Sequence, residues 1–144
     1  MTIAVSKVGH LVLRVSDLPR SLAFYEMLGL HEVARRDFGE GPMAFLSTGN
    51  AHHDLALVEA AVPGGGALHH FALKVGDSLT ALADVRDTLD AAGLKVHMTL
   101  DHRVSQGLYI TDPDGNMIEL YVDAPQQAWR EDPSLVANSD PLTL

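Results

Sequence analysis

The sequence predicts an α+β fold. Two tandem βαβββ modules form a cup-shaped, incompletely closed mixed β-sheet with the helices on the outside. Three observations carry this expectation. First, Gly9-His10-Leu11-Val12-Leu13-Arg14-Val15 lies over His69-His70-Phe71-Ala72-Leu73-Lys74-Val75 at an offset of 60, as do Asp17, Leu22 and Ala23 over Asp77, Leu82 and Ala83. Second, beyond the helical region the offset becomes 64. It then pairs Gly29-Leu30 with Gly93-Leu94, Phe45 with Tyr109, Val58 with Val122 and Ala60 with Ala124. Such self-similarity marks a repeated structural unit. Third, Pro63-Gly64-Gly65-Gly66 separates the copies as a turn-prone hinge.

Each module reads the same way. In copy one, residues 8–15 are rich in β-branched residues and leucine and predict a strand. Ser16-Asp17-Leu18-Pro19 then offers capping residues and an early proline for a helix whose apolar stripe is Leu22, Phe24, Tyr25 and Leu28. Strands at 31–37, 42–47 and 54–59 complete the copy. In copy two a strand at 68–75 precedes a helix opened by Asp77 or Ser78, with Leu79, Leu82, Val85 and Leu89 spaced by three and four. Strands at 95–100, 107–111 and 117–122 follow. Gly29 and Gly93 end the helices, and Asp112-Pro113-Asp114-Gly115-Asn116 forms a hairpin turn. The expected organisation is one domain over 1–144: module one at about 6–60, a hinge at 61–67, module two at about 68–124 and a polar tail at 125–144. The tail carries Trp129 and is expected on the surface or across the cleft.

Composition narrows the function classes. A chain of 144 residues, 47% hydrophobic and 20% charged, is long enough to bury a core. It has no cysteine, which excludes disulfides, thiolate metal sites and cysteine nucleophiles. Any metal must be held by nitrogen and oxygen. A net charge of −9 with scattered basic residues argues against nucleic acid, and aromatic residues are few. Residues 1–7 are too short and mixed for a signal peptide, and no apolar run approaches the roughly 18 residues of a membrane helix. A cytoplasmic protein without a membrane partner is the simple expectation.

Strand side chains alternate faces. In the first strand Leu11, Leu13 and Val15 are expected under the helix, which leaves His10, Val12 and Arg14 toward the cleft. The repeat puts His70, Ala72 and Lys74 on the equivalent face. In the last strand Ile118, Leu120 and Val122 belong under the helices, so Glu119 faces the cleft. His10, His70 and Glu119 therefore point into one concave surface. Two neutral imidazoles and a carboxylate form a facial triad suited to Fe(II), with Mn(II) also compatible. A carboxylate flanked by apolar residues is costly unless paired or metal-bound.

Four stretches carry a family resemblance. Val8-Gly9-His10-Leu11-Val12-Leu13 and Leu68-His69-His70-Phe71-Ala72-Leu73 look like metal-histidine strands. His52-His53-Asp54-Leu55-Ala56-Leu57 looks like an acid/base histidine segment. Tyr109-Ile110-Thr111-Asp112-Pro113-Asp114-Gly115-Asn116-Met117-Ile118-Glu119 looks like a tyrosine-to-glutamate stretch, and His102-Arg103-Val104-Ser105 like a substrate-side histidine segment. Over residues 6 to 124 the chain resembles the vicinal oxygen chelate (glyoxalase/bleomycin resistance/dioxygenase) superfamily, and within it most of all the type I extradiol ring-cleavage dioxygenases. The resemblance implies Fe(II)-dependent cleavage of a catechol by O2 beside its two hydroxyls. His53 would move a proton, Tyr109 would donate a hydrogen bond to a substrate oxygen, and His102 would help close the pocket. It also implies a homodimer.

The repeat adds a check. At the offset of 64, Glu119 lies over Leu55, where glyoxalase-like members are expected to use a fourth protein ligand. Leucine binds no metal, so coordination positions stay open for water, substrate or O2. His53, two residues earlier, is expected on the same face. His52 reads as a polar turn residue, His69 as a helix-facing or supporting residue, and His31 and His97 as edge or surface residues. The well-known enzymes of this type carry four modules and this chain has two, so pocket walls must come from the tail around Trp129 or from a partner subunit. A glyoxalase-like isomerase or thiol transferase on the same scaffold, and a metal-free module binding a small aromatic molecule, remain as alternatives.

Overall fold

The computed structural model describes residues 2–27, 29–60, 68–111 and 117–144. The elements run β1 (Lys7–Val15), α1 (Leu18–Met27), β2 (His31–Asp37), β3 (Pro42–Ser47), β4 (Leu55–Glu59), β5 (Leu68–Gly76), α2 (Leu79–Ala91), β6 (Met98–Asp101), β7 (Ser105–Thr111) and β8 (Met117–Asp123). A short helix α3 (Gln126–Glu131), a 3-10 turn (Pro133–Ala137) and β9 (Asp140–Pro141) follow. The hinge at 61–67, the turn at 112–116 and Leu28 lie outside the described residues.

The described strands form one curled, open mixed sheet in the order β2-β3-β4-β1-β5-β8-β7-β6-β9. β1 is parallel to β4 and β5 is parallel to β8, while β1 and β5 pair antiparallel at the centre. The fold class is thus the one the internal repeat predicts.

Local chemistry explains the boundaries. Ser78 caps α2 by accepting from the Ala81 amide, and Asp17 accepts from the Arg20 amide at the start of α1. Gly29 and Gly93 follow the helices with φ of 91° and 70°, a conformation that glycine adopts without strain. Under α2, Leu82, Val85 and Leu89 pack on Leu108, Leu120 and Val122. Leu18 and Leu22 pack on Ala44, Leu46, Leu55 and Leu57 under α1.

The predicted apolar stripes need three corrections. Phe24 is exposed because it lies about 200° around the helix from Leu22. Leu79 stands at the exposed start of α2, and Leu11 is exposed because α1 packs over β2, β3 and β4. In copy two β6 is shorter than expected, beginning at Met98, while β7 starts two residues earlier, at Ser105.

The tail turns back onto the concave face. Trp129 and Val136 are buried with Val12, Met43, Phe45, Ala56, Val58 and Val104, and β9 adds to the sheet edge beside β6. Among the described residues no helix is long and apolar enough to cross a membrane.

Candidate metal centre and its pocket

Three central strands set the metal candidates side by side. Ala72 of β5 pairs with His10 of β1 on one flank and with Glu119 of β8 on the other, while His70 pairs with Val12. Cross-strand partners share a face, so both histidines and the carboxylate rise around a residue with almost no side chain of its own. His10 Nε2 lies 3.0 Å and His70 Nε2 3.6 Å from Glu119 Oε2. One ligand atom from each residue fits within 4.8 Å of the others.

The chemistry of this cluster fits a cation. All three residues are buried, Glu119 at 1% exposure, and among the described residues Glu119 Oε1 and His10 Nδ1 find no hydrogen-bond partner. Burial alone raises the Glu119 carboxyl, but His10, His70 and His102 outweigh it and hold the group well below the usual carboxylate range. The result is a buried carboxylate facing two imidazoles, with an orphaned oxygen left over. Such a group is stable only when charge or hydrogen bonds compensate it. Gly107 of β7 makes the room: a Cβ there would come within 2.7 Å of Glu119 Oε1.

His53 reaches the same space from the turn before β4. Asp54 N bonds the Leu46 carbonyl and Asp54 Oδ2 accepts from the Thr48 amide, which closes the turn and directs His53 inward. The His53 ring centroid lies 4.1 Å from that of His10. Burial, reinforced by His10 and His52, holds the His53 imidazole well below its usual range, so it is neutral.

The expected route to that position was off by one residue. In the observed register Val12 pairs with Ala56, just as Ala72 pairs with Glu119, so Ala56 and not Leu55 is the counterpart of Glu119. Leu55 packs under α1, while Ala56 is buried on the concave side. The extra residue lies in copy one, between Phe45 and its partner Ala56, a stretch one residue longer than that between Tyr109 and its partner Glu119. Alanine binds no metal either, so copy one still offers no fourth ligand at this position.

His52 is also corrected. It is buried, with Nδ1 2.6 Å from His53 Nδ1 and Nε2 2.7 Å from Asp123 Oδ1. Burial raises the Asp123 carboxyl, but His52 and Lys74 prevail and hold it below its ordinary value. His69 lines the pocket instead of facing a helix. Its Nε2 is 3.0 Å from Glu40 Oε2 and its Nδ1 is 2.8 Å from His70 Nδ1. His31 and His97 are exposed, as expected.

Tyr109 is buried against Glu119, and burial pushes its phenol well above the usual range, so it stays protonated. His102 Nδ1 lies 2.6 Å from the Asn138 carbonyl and its Nε2 2.8 Å from the Tyr109 hydroxyl. A carbonyl only accepts, so His102 donates from Nδ1, and a neutral His102 accepts the Tyr109 proton at Nε2. The tail therefore orients His102, and His102 orients Tyr109.

Together these groups surround a pocket of about 280 Å³. Its outer wall is apolar: Phe38, Met43, Met98, Leu100, Met117 and Val136. Among the described residues, neither lysine nor arginine lines it. Every residue proposed from sequence for this site, His10, His70, Glu119, His53, Tyr109 and His102, borders this one space. Sequence reasoning missed Ala72, Gly107, Asp123 and Asn138, whose contributions are room or orientation. Ala72 alone had a readable signal, because it sits between the histidine strand and the predicted glutamate face.

Comparison with known proteins agrees with the architecture. Residues 7–120 match the Glyoxalase/Bleomycin resistance protein/Dioxygenase superfamily. A biphenyl-2,3-diol 1,2-dioxygenase of Rhodococcus globerulus is 35% identical over 126 residues, covering 81% of this chain and 63% of that protein. A probable lactoylglutathione lyase of Synechocystis is 28% identical over 120 residues, covering 77% of this chain and 91% of that one. Among solved structures, a halotolerant catechol dioxygenase aligns with a TM-score of 0.68 at 25% identity, over 88% of this chain and 45% of that one. The chain thus spans less than two thirds of the dioxygenase relatives it matches. The fold, the matched residues and these relatives agree: this chain belongs to the glyoxalase/bleomycin resistance protein/dioxygenase superfamily.

Proposed function

We propose that this protein is a metal-dependent extradiol dioxygenase that cleaves an uncharged catechol bearing an apolar substituent, using O2. The observation that carries the reading is the convergence of His10, His70 and Glu119 beside a neutral buried histidine in an apolar pocket. The named relatives support the reaction class. His10, His70 and Glu119 are the metal ligands in this reading, and Fe(II) is the metal that a 2-His-1-carboxylate set with open positions suits, with Mn(II) compatible. Such a metal supplies a template for a vicinal diol and for O2 and neutralises the charge that develops on them.

The chain's own residues supply the rest. His53, neutral and beside the ligands, accepts a proton from a substrate hydroxyl and returns it later, as a general base and then acid. Tyr109 keeps its proton and presents a hydrogen-bonding hydroxyl, held by His102. The apolar wall excludes water and binds the ring. With no lysine or arginine among the described lining residues, a substrate carboxylate would be buried without a cationic partner, which disfavours acidic catechols. We further read the chain as one domain of two modules, 6–60 and 68–124, that acts as a homodimer.

Oxygen uptake by the Fe(II)-loaded protein on neutral and on carboxylated catechols tests the substrate class. The expected result is a kcat/KM at least about 100-fold higher for alkyl- or aryl-substituted catechols, the scale of one unpaired buried charge. Equal rates on carboxylated catechols would contradict it. Metal binding without O2 consumption on any catechol would favour an isomerase or transferase.

A further inference from the structure

His53 is the partition between two spaces. In front of it lies the apolar pocket, and behind it a smaller chamber of about 70 Å³ bordered by Lys7, Asn50, His52, Asp123 and Gln126. His52 bridges from His53 to Asp123 along the back, with contacts of 2.6 and 2.7 Å. Two imidazole nitrogens that close need one proton between them: one donates and the other accepts. Asp123 decides which. Its carboxylate only accepts, so His52 carries its hydrogen on Nε2, and a neutral His52 then has its lone pair on Nδ1. His53 must therefore donate from Nδ1, which leaves Nε2 as its lone-pair nitrogen.

We propose that His52 and Asp123 are positioning residues that hold His53 as its Nδ1–H tautomer, so that its Nε2 is free to take a diol proton. The inference rests on the acid/base role proposed for His53. In the other tautomer His53 would present a second N–H to a substrate hydroxyl, and no base would stand there. When the hydroxyl O–H bond breaks, the proton forms the new N–H at His53 Nε2, and the Nδ1 proton is stabilised by His52 backed by Asp123. The reverse step returns the same proton to the product. Lys74 Nζ, 3.0 Å from Asp123 Oδ2, fixes the carboxylate from the other side.

The test reads the tautomer itself. The full chain, labelled with 15N-histidine and loaded with diamagnetic Zn(II), is analysed by long-range proton–nitrogen correlation. His53 is expected as Nδ1–H. In Asp123→Asn, Lys74 retains the amide oxygen and turns the NH2 toward His52. That reverses the order, so His53 shifts to Nε2–H. Both this variant and His52→Leu should lower kcat of the Fe(II) protein about 10-fold or more, with KM changed less than about twofold. Wild-type His53 found as Nε2–H overturns the proposal, as does an unchanged tautomer in Asp123→Asn. The signal needs no turnover, so an inactive protein whose His53 is Nδ1–H supports this positioning and counts against the dioxygenase reading alone.

Discussion

At the scale of single residues, the candidate centre depends as much on missing atoms as on ligands. Ala72 leaves the floor open between His10 and Glu119, and Gly107 leaves space for the carboxylate. A methyl at residue 107 has nowhere to go, because the atom it meets is Glu119 Oε1 at 2.7 Å. Gly107→Ala should therefore keep the fold but displace the carboxylate, weakening metal affinity about 10-fold or more. Competitive metal titration checks this, and affinity equal to wild type would mean that Glu119 is not the ligand. The ligand-type side chains were legible in sequence because repeat and strand alternation place them. The rooms around them were not, since an alanine or glycine in a strand carries no mark of what its neighbour needs. Asp123 was hidden for a related reason: its partner His52 comes from a turn whose path only the folded register defines.

Among elements, the two central strands were the most readable part of the chain. β1 and β5 combine a repeated sequence with strand alternation, broken where Leu11 is exposed and where His69 lines the pocket. The β4 register was misread by one residue, because an insertion in the turn before it breaks the repeat offset. A single residue there exchanges Leu55 for Ala56 on the concave face. The link between β8, β5 and that turn is electrostatic as well: Asp123 contacts His52 and Lys74, and Lys74 also contacts Asp77. Asp123 titrates below its unfolded value near 3.9, so the unfolded chain takes up the proton first as pH falls. Its stabilisation is complete above about pH 4 and is lost as pH drops through the folded value. Urea unfolding of the metal-free protein should show Asp123→Asn less stable than wild type at neutral pH, with the gap closing below about pH 4. A gap that widens in acid would contradict this pairing.

For the whole molecule, the tail completes a cup that the two modules leave open. Trp129 and Val136 fill the concave side, Asn138 holds His102, and β9 extends the sheet. The sequence pointed to the tail around Trp129 for pocket walls; the tail borders the pocket through Val136 and Ser139, while Trp129 packs behind it beside His52, a placement that depends on the folded shape. Trp129→Ala should destabilise the protein by about 3–5 kcal/mol, as large aromatic truncations in cores do, measured by chemical denaturation. A change under about 1 kcal/mol would mean that the tail rests on the surface.

In the proposed reaction His10, His70 and Glu119 would hold the metal on which ring cleavage depends. This role is tested most directly by loading the protein and its Glu119→Ala variant with Fe(II) anaerobically, counting bound iron, and then adding O2 and a neutral catechol. One iron per wild-type chain and one O2 consumed per catechol with a yellow ring-opened product are expected, with neither tight iron nor uptake in the variant. Iron retained at full stoichiometry by Glu119→Ala, or a loaded wild type that leaves catechol and O2 untouched, would contradict this role.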